Sequence, residues 1–231
     1  MYSKVKIRNL DVYSFPTRTV FLDFIEDKQK ILIAINAEKI LKDDVKLENI
    51  VNNNIGYPDG AGAVMAIRQK GKEAIKIPGA EFWLDIVEKF YRQKSIYLVG
   101  STQGVIEMTV KKLKHNYPGI LITGYRNGFI NDLEKKMLIR DLQNKKPDIV
   151  FIAQGSPRQE YLMEELINKH PALYMGLGGS FDVFCGLKKR APKLFLDYNL
   201  EWLYRLVSEP TRFKRQLVLL KYYYMLKRRN L

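Results

Sequence analysis

The sequence predicts an α/β fold, a mainly parallel sheet flanked by helices. Short apolar runs recur along the chain, rich in β-branched or aromatic side chains and ending near Gly or Asn. Amphipathic segments of helical period separate them. Strands that alternate with helices require right-handed crossover units, which produce a parallel sheet.

The elements follow in order. ILIAIN at 31–36 reads as a buried strand. A helix over roughly 80–93 follows, with Leu84, Val87, Phe90 and Tyr91 on one face. IYLVG at 96–100 is the next strand, then a helix over 105–116, the strand ILITG at 120–124 and a helix over 131–144. IVFIA at 149–153, a helix over 157–169 and LYMG at 173–176 complete the series. SPRQ at 156–159 has the pattern of a capping box with Pro at the first helical position. After about Gly186 the pattern changes to helix, proline break and helix. This divides the chain into an α/β domain at 1–186 and a basic amphipathic appendage at 187–231.

Composition narrows the function. The chain has 231 residues, 46% hydrophobic and 28% charged, enough to bury a core. The single cysteine, Cys185, excludes an internal disulfide framework and suits a reducing compartment. His115 and His170 form no metal pattern with it. The first ten residues lack the apolar core of a signal peptide, and no run approaches the ~18–20 apolar residues of a spanning helix, so a cytoplasmic location is expected. The net charge of +14 asks for an anionic partner. After Gly186, twelve basic residues stand against three acidic ones, so nine of the fourteen excess charges lie in the appendage. Its Trp202, Tyr204, Phe213, Tyr222, Tyr223 and Tyr224 alternate with Lys and Arg, as in helices that lie on an anionic membrane surface. The alternative is a helix pair packed on the domain or at the interface of a homo-oligomer.

Ligands of a parallel sheet bind beyond the carboxyl ends of its strands. The chemistry-bearing loops fall there: Asn36, the YPDG turn at 57–60, GSTQG at 100–104, GSPRQE at 155–160 and GLGGSFD at 176–182. Glycine-rich loops leading into helices offer N–H groups to a diphosphate. Phe181 stands where the third glycine of a dinucleotide fingerprint belongs, which disfavours a nicotinamide cofactor. A nucleic-acid-binding role with a basic tail leaves the strand-end loops without a use. On local sequence Asp59 reads as an ordinary turn residue. No D-x-D is present to hold a divalent cation against a diphosphate.

Taken in order, NAEK at 36–39, DGAG at 59–62, PGAEFW at 78–83, GSPRQE at 155–160, MGLGGSFDVF at 175–184, KRAPK at 189–193 and LEWLYRL at 200–206 resemble the WecG/TagA/CpsF glycosyltransferases. The resemblance runs from about residue 5 to the end. AINAEK at 34–39, YMG at 174–176 and EPTRFKRQL at 209–217 are most similar to the branch whose donor sugar is N-acetylmannosaminuronic acid. The resemblance implies a Rossmann-like fold and inverting transfer of an N-acetylmannosamine-type sugar. The donor is a UDP-sugar. The acceptor is GlcNAc on undecaprenyl diphosphate, at the inner face of the cytoplasmic membrane. It implies no metal, no other cofactor and no nucleic-acid partner.

Asp59 becomes the general base, against the local turn reading, and a turn between strand and helix is a rigid mount for one. Arg205, Arg212 and Arg215 are candidate catalytic cations delivered by the tail. The candidate substrate-binding residues are Asn36, Gly60, Gly62, Lys76, Gly100, Gly155, Ser156, Arg158, Gln159, Glu160, Gly178, Gly179 and Asp182. Two positions depart from many relatives. Ala34 replaces a Thr, and Lys76 replaces an Arg, keeping the charge but losing bidentate geometry.

Overall fold

The computed structural model describes residues 2–189, 191–192, 195, 204 and 213–228, the side chains of 213–217 excepted. Eight strands form one sheet: β1 (Ser3–Ile7), β2 (Leu10–Ser14), β3 (Ile31–Ile35), β4 (Ile55–Pro58), β5 (Ile96–Gly100), β6 (Ile122–Arg126), β7 (Ile149–Ala153) and β8 (Leu173–Gly176). Their spatial order is β1-β2-β4-β3-β8-β7-β5-β6. β1 and β2 form an antiparallel edge hairpin, and every other pairing is parallel. The carboxyl ends of β3 to β8 therefore share one edge.

Ten helices are described: α1 (Arg18–Ile25), α2 (Ala37–Leu41), α3 (Val45–Asn52), α4 (Ala61–Gln69), α5 (Gly79–Phe90), α6 (Gln103–Asn116), α7 (Asp132–Lys145), α8 (Arg158–Ile167), α9 (Ser180–Phe184) and α10 (Phe213–Lys227). They cover both faces of the sheet. α2, α3, α4, α7, α8 and α10 contribute to one core, and α1, α5, α6 and α9 to the other. Every residue of β5, β7 and β8 is buried, as a strand covered on both faces requires, which is why these strands read as unbroken apolar runs. β6 is an edge strand and only half buried.

The expected fold class is the observed one, with local corrections. β6 begins two residues later than the apolar run suggested, because Ile122 is the residue paired with Ile96. On α5 the buried stripe is Phe82, Trp83, Ile86, Val87 and Phe90. Leu84 and Tyr91 lie at its half-buried margin. At the start of α8, Pro157 is the N-cap residue and no side chain caps the helix, so the predicted capping box is absent. Its Gln159 is drawn elsewhere, as described below.

Within the segment expected to be an appendage, α10 is docked on the α/β body. α10 packs against α2 and α4, and its Tyr222 and Leu226 belong to the same buried cluster as those helices. The Tyr222 hydroxyl donates to the carbonyl of Gly62 at 2.9 Å. Tyr222 is thus fully buried, and the expectation that it meets lipid is corrected. Tyr223 and Tyr224 remain exposed.

Candidate active site

The shared strand edge carries two groups of candidate residues. The first sits at the ends of β3 and β4. Asp59 follows Pro58, the last residue of β4, and its backbone N–H donates to Ile35 O at 3.0 Å. Its Oδ1 accepts the Gly79 N–H at 2.7 Å. Gly79 is the first residue of α5, so the carboxylate is held at a helix N-terminus, where negative charge is favoured. The irregular segment carrying Lys76 runs alongside, since Ile77 N–H donates to Pro58 O at 2.8 Å. Asn36 caps α2 by accepting the Lys39 N–H at 3.0 Å, and a Cβ on Gly60 would meet its Cβ at 3.5 Å. The Asp59 turn therefore lies directly against Asn36. Tyr57, two residues before Asp59, is fully buried. Burial first, then the charges of Asp59 and Glu160, push its phenol well above the usual range.

The second group forms a cleft of about 1050 Å³ at the ends of β5 to β8. Ser101, Thr102, Gly155, Arg158, Gly178, Gly179 and Asp182 line it. Thr102 caps the fourteen-residue α6, whose N-terminus opens there and favours an anion. Ser101 Oγ donates to Asp182 Oδ2 at 3.2 Å. Among the charged side chains lining the cleft, Lys135 pairs with Glu165 at 2.7 Å and Glu134 pairs with Arg126, outside the lining, at 3.5 Å. Arg158 and Lys188 have no carboxylate within ion-pair distance among the described residues and are the cations the cleft offers a ligand, while Asp182 adds a carboxylate to its lining.

Several sequence-predicted residues take other places. Gln159 and Glu160 are buried behind the cleft, 4% and 1% exposed. Gln159 Oε1 accepts the N–H groups of Gly155 at 3.2 Å and Gly178 at 2.9 Å. Those two amides, expected to face a diphosphate, are engaged within the protein. Both glycines have positive φ, +80° and +58°, which turns their amides toward one acceptor. Gly62 lies under Tyr222, away from the cleft. Gly100 crosses over the end of β7, where a Cβ would come within 2.5 Å of Ala153 O. Ser156 is exposed beside Arg158. Asn36, Asp59 and Lys76 are not among the residues lining the cleft. Arg205 and Arg212 lie outside the described residues, and Arg215 belongs to α10 with its side chain outside them.

The sequence reading missed one wall of the cleft: Gly128, Phe129, Ile130, Asn131 and Lys135, in and after the β6–α7 loop, with Tyr161 opposite. The signal was present. NGFINDLE at 127–134 holds a capping box at Asn131 and Glu134 directly after a strand. The loop falls in the unassigned gap between the strand read at 120–124 and the helix read from 131, and none of its residues is among the sequence-predicted site residues. Among the described residues no group of three His, Cys, Asp or Glu is placed to hold a metal ion. No described helix is long and apolar enough to cross a membrane.

The model of the glycosyl transferase WecG/TagA/CpsF family matches residues 3–231, and the chain belongs to that family.

Proposed function

We propose that this glycosyltransferase moves N-acetylmannosaminuronic acid from UDP to GlcNAc carried on undecaprenyl diphosphate, with inversion and without a metal ion, at the inner face of the cytoplasmic membrane. The observation that supports it most is the mounting of Asp59: a carboxylate fixed by the Gly79 amide at the carboxyl end of β4, on the strand edge that also carries the cleft.

In this reading the acceptor hydroxyl attacks the anomeric carbon and its proton passes to Asp59. The new C–O bond forms as the bond from that carbon to the UDP oxygen breaks, and UDP leaves with the electron pair. The charge gathering on the leaving diphosphate is met by the N-terminus of α6, Arg158 and Lys188, with Lys76 near the base. The tail arginines Arg205, Arg212 and Arg215 add cations when the appendage meets lipid, which restrains donor hydrolysis away from the membrane.

The reading is tested by mass spectrometry of the product formed from a lipid-diphosphate-GlcNAc analogue and a panel of UDP-sugars. A mass gain of N-acetylmannosaminuronic acid supports it. Preferential use of neutral UDP-N-acetylmannosamine or another hexose supports the second reading, which Lys76 in place of Arg favours through its looser grip on a sugar carboxylate. Transfer undiminished by excess EDTA is expected, because the sequence lacks a D-x-D pair. Activity lost to EDTA and restored by Mg²⁺ or Mn²⁺ would show a cation at work.

A further inference from the structure

We propose that Lys39 and Glu160 form a buried positioning pair that fixes the base-bearing strand ends against the loops of the cleft; the proposal rests on the reading of that cleft as the UDP site. Lys39 and Glu160 are 8% and 1% exposed. Their Nζ–Oε1 separation is 2.8 Å. The ammonium also donates to Ala34 O, in β3, at 2.9 Å. Taking two charges out of water is costly, and a packed apolar pair is commonly as stable. Stability alone is therefore a weak reason for this pair.

Its place in the fold supplies a better one. Lys39 belongs to α2, whose N-cap Asn36 lies against the turn that carries Asp59. Glu160 belongs to the first turn of α8, beside Gln159. Glu160 Oε1 receives both the Lys39 ammonium and the Gln159 amide, the latter at 3.3 Å. The other end of that Gln159 amide holds Gly155 and Gly178 in the cleft wall. One unbroken run of polar contacts thus leads from the end of β3 to two separate loops of the cleft. Neither Lys39 nor Glu160 lines the cleft, so both act through other groups.

A second observation marks this spot. Glu160 Oε2 and Tyr57 Oη are buried with no hydrogen-bond partner. Unpaired buried polar atoms are rare in folded proteins and call for a reason beyond packing. One belongs to Tyr57, in β4 two residues before Asp59, and the other to Glu160 itself, in the first turn of α8.

The test uses the full chain and UDP as the probe. Lys39→Met/Glu160→Met removes both charges and leaves an apolar pair of similar size, so the melting temperature is expected to stay near that of the wild type. Amide exchange at Gly155 and Gly178 should quicken and UDP affinity should fall, each by about tenfold or more, because a small misplacement of binding groups is costly. Wild-type exchange and affinity in a folded double variant overturn the proposal. If that variant does not fold, Glu160→Asp keeps the charge but shortens its reach by one methylene. A comparable loss of UDP affinity in Glu160→Asp supports the pair's role, and undiminished affinity overturns it. A wild-type chain that fails to bind UDP removes the reading of the cleft, and the proposal with it.

Discussion

At the scale of single residues, Asp59 carries the chemical claim. Its Oδ1 accepts the Gly79 amide, which fixes the carboxylate in place for the proton transfer of the proposed reaction. Asp59→Asn keeps the shape of the turn and removes the basic oxygen. Turnover is expected to fall by ~10²–10⁴ with UDP binding near normal, measured by single-turnover kinetics and calorimetry. Near-normal turnover would take Asp59 out of the role. A different residue pair carries a pH dependence. Tyr161 of α8 donates to Asp44, the N-cap of α3, across the domain. That bond, before the Leu47 amide and Lys42, holds the Asp44 carboxyl below its usual range. The same bond pushes Tyr161 up to about 12. A depressed carboxylate contributes stability above its unfolded pKa of about 3.9, lost as the pH falls through the lower folded value. A raised phenol contributes stability below about pH 10, lost as the pH rises toward 12. Tyr161→Phe should therefore flatten both flanks of a stability–pH profile from denaturant titrations, at a cost of roughly 1 kcal/mol near neutrality. Flanks as steep as in the wild type would show that other groups set them.

At the scale of elements, the docking of α10 makes a sharp case. A Cβ on Gly62 would sit 2.9 Å from Tyr222 Cε1, so α4 accepts the tyrosine ring only because that position has no side chain. Tyr222→Ala should cost roughly 3–5 kcal/mol, as for other large buried side chains. Tyr222→Phe, which loses one hydrogen bond, should cost roughly 1 kcal/mol. Gly62→Ala should destabilise on its own but add little in the Tyr222→Ala background, because the clash is then gone. Thermal unfolding of the four variants checks this, and additive losses would contradict the contact. The same element shows where the sequence was readable. β3, β5, β7 and β8 lie in the middle of the sheet, and burial on both faces wrote them as apolar runs. β1 and β2 form an edge hairpin with alternating burial, and β4 is four residues ending in Pro, so neither pattern stood out. The place of Asp59, between a strand and a helix, was legible through its flanking motifs. The roles of Gln159 and Gly62 were not, because both depend on partners about 19 and 160 residues away in the chain.

At the scale of the whole molecule, the question is where the excess positive charge meets its partner. α10 divides cleanly: Tyr222 and Leu226, flanked by Val218, Leu219 and Met225, face the domain. Leu220, Tyr223 and Tyr224 stand exposed among the exposed Lys221, Lys227 and Arg228. An apolar and aromatic stripe beside basic groups, on a helix already anchored from behind, suits the headgroup boundary of an anionic bilayer. Deleting the tail is a poor test, because removing Tyr222 and Leu226 would strip part of the domain's own core. Charge reversal on the outer face is cleaner. Lys221→Glu/Lys227→Glu/Arg228→Glu leaves the docking side chains untouched and should preserve the melting temperature. Each basic group near anionic lipid contributes about 1 kcal/mol, so losing three should weaken binding to anionic vesicles by about 100-fold or more. Wild-type binding should likewise fall in 1 M salt, where the Debye length is about 3 Å. If the appendage also brings Arg205, Arg212 or Arg215 to the reaction, the variant should keep its turnover on a short water-soluble acceptor and lose it on the acceptor embedded in vesicles. Vesicle binding equal to wild type in the triple variant would remove lipid as the partner of this face and leave α10 as a packing helix of the domain.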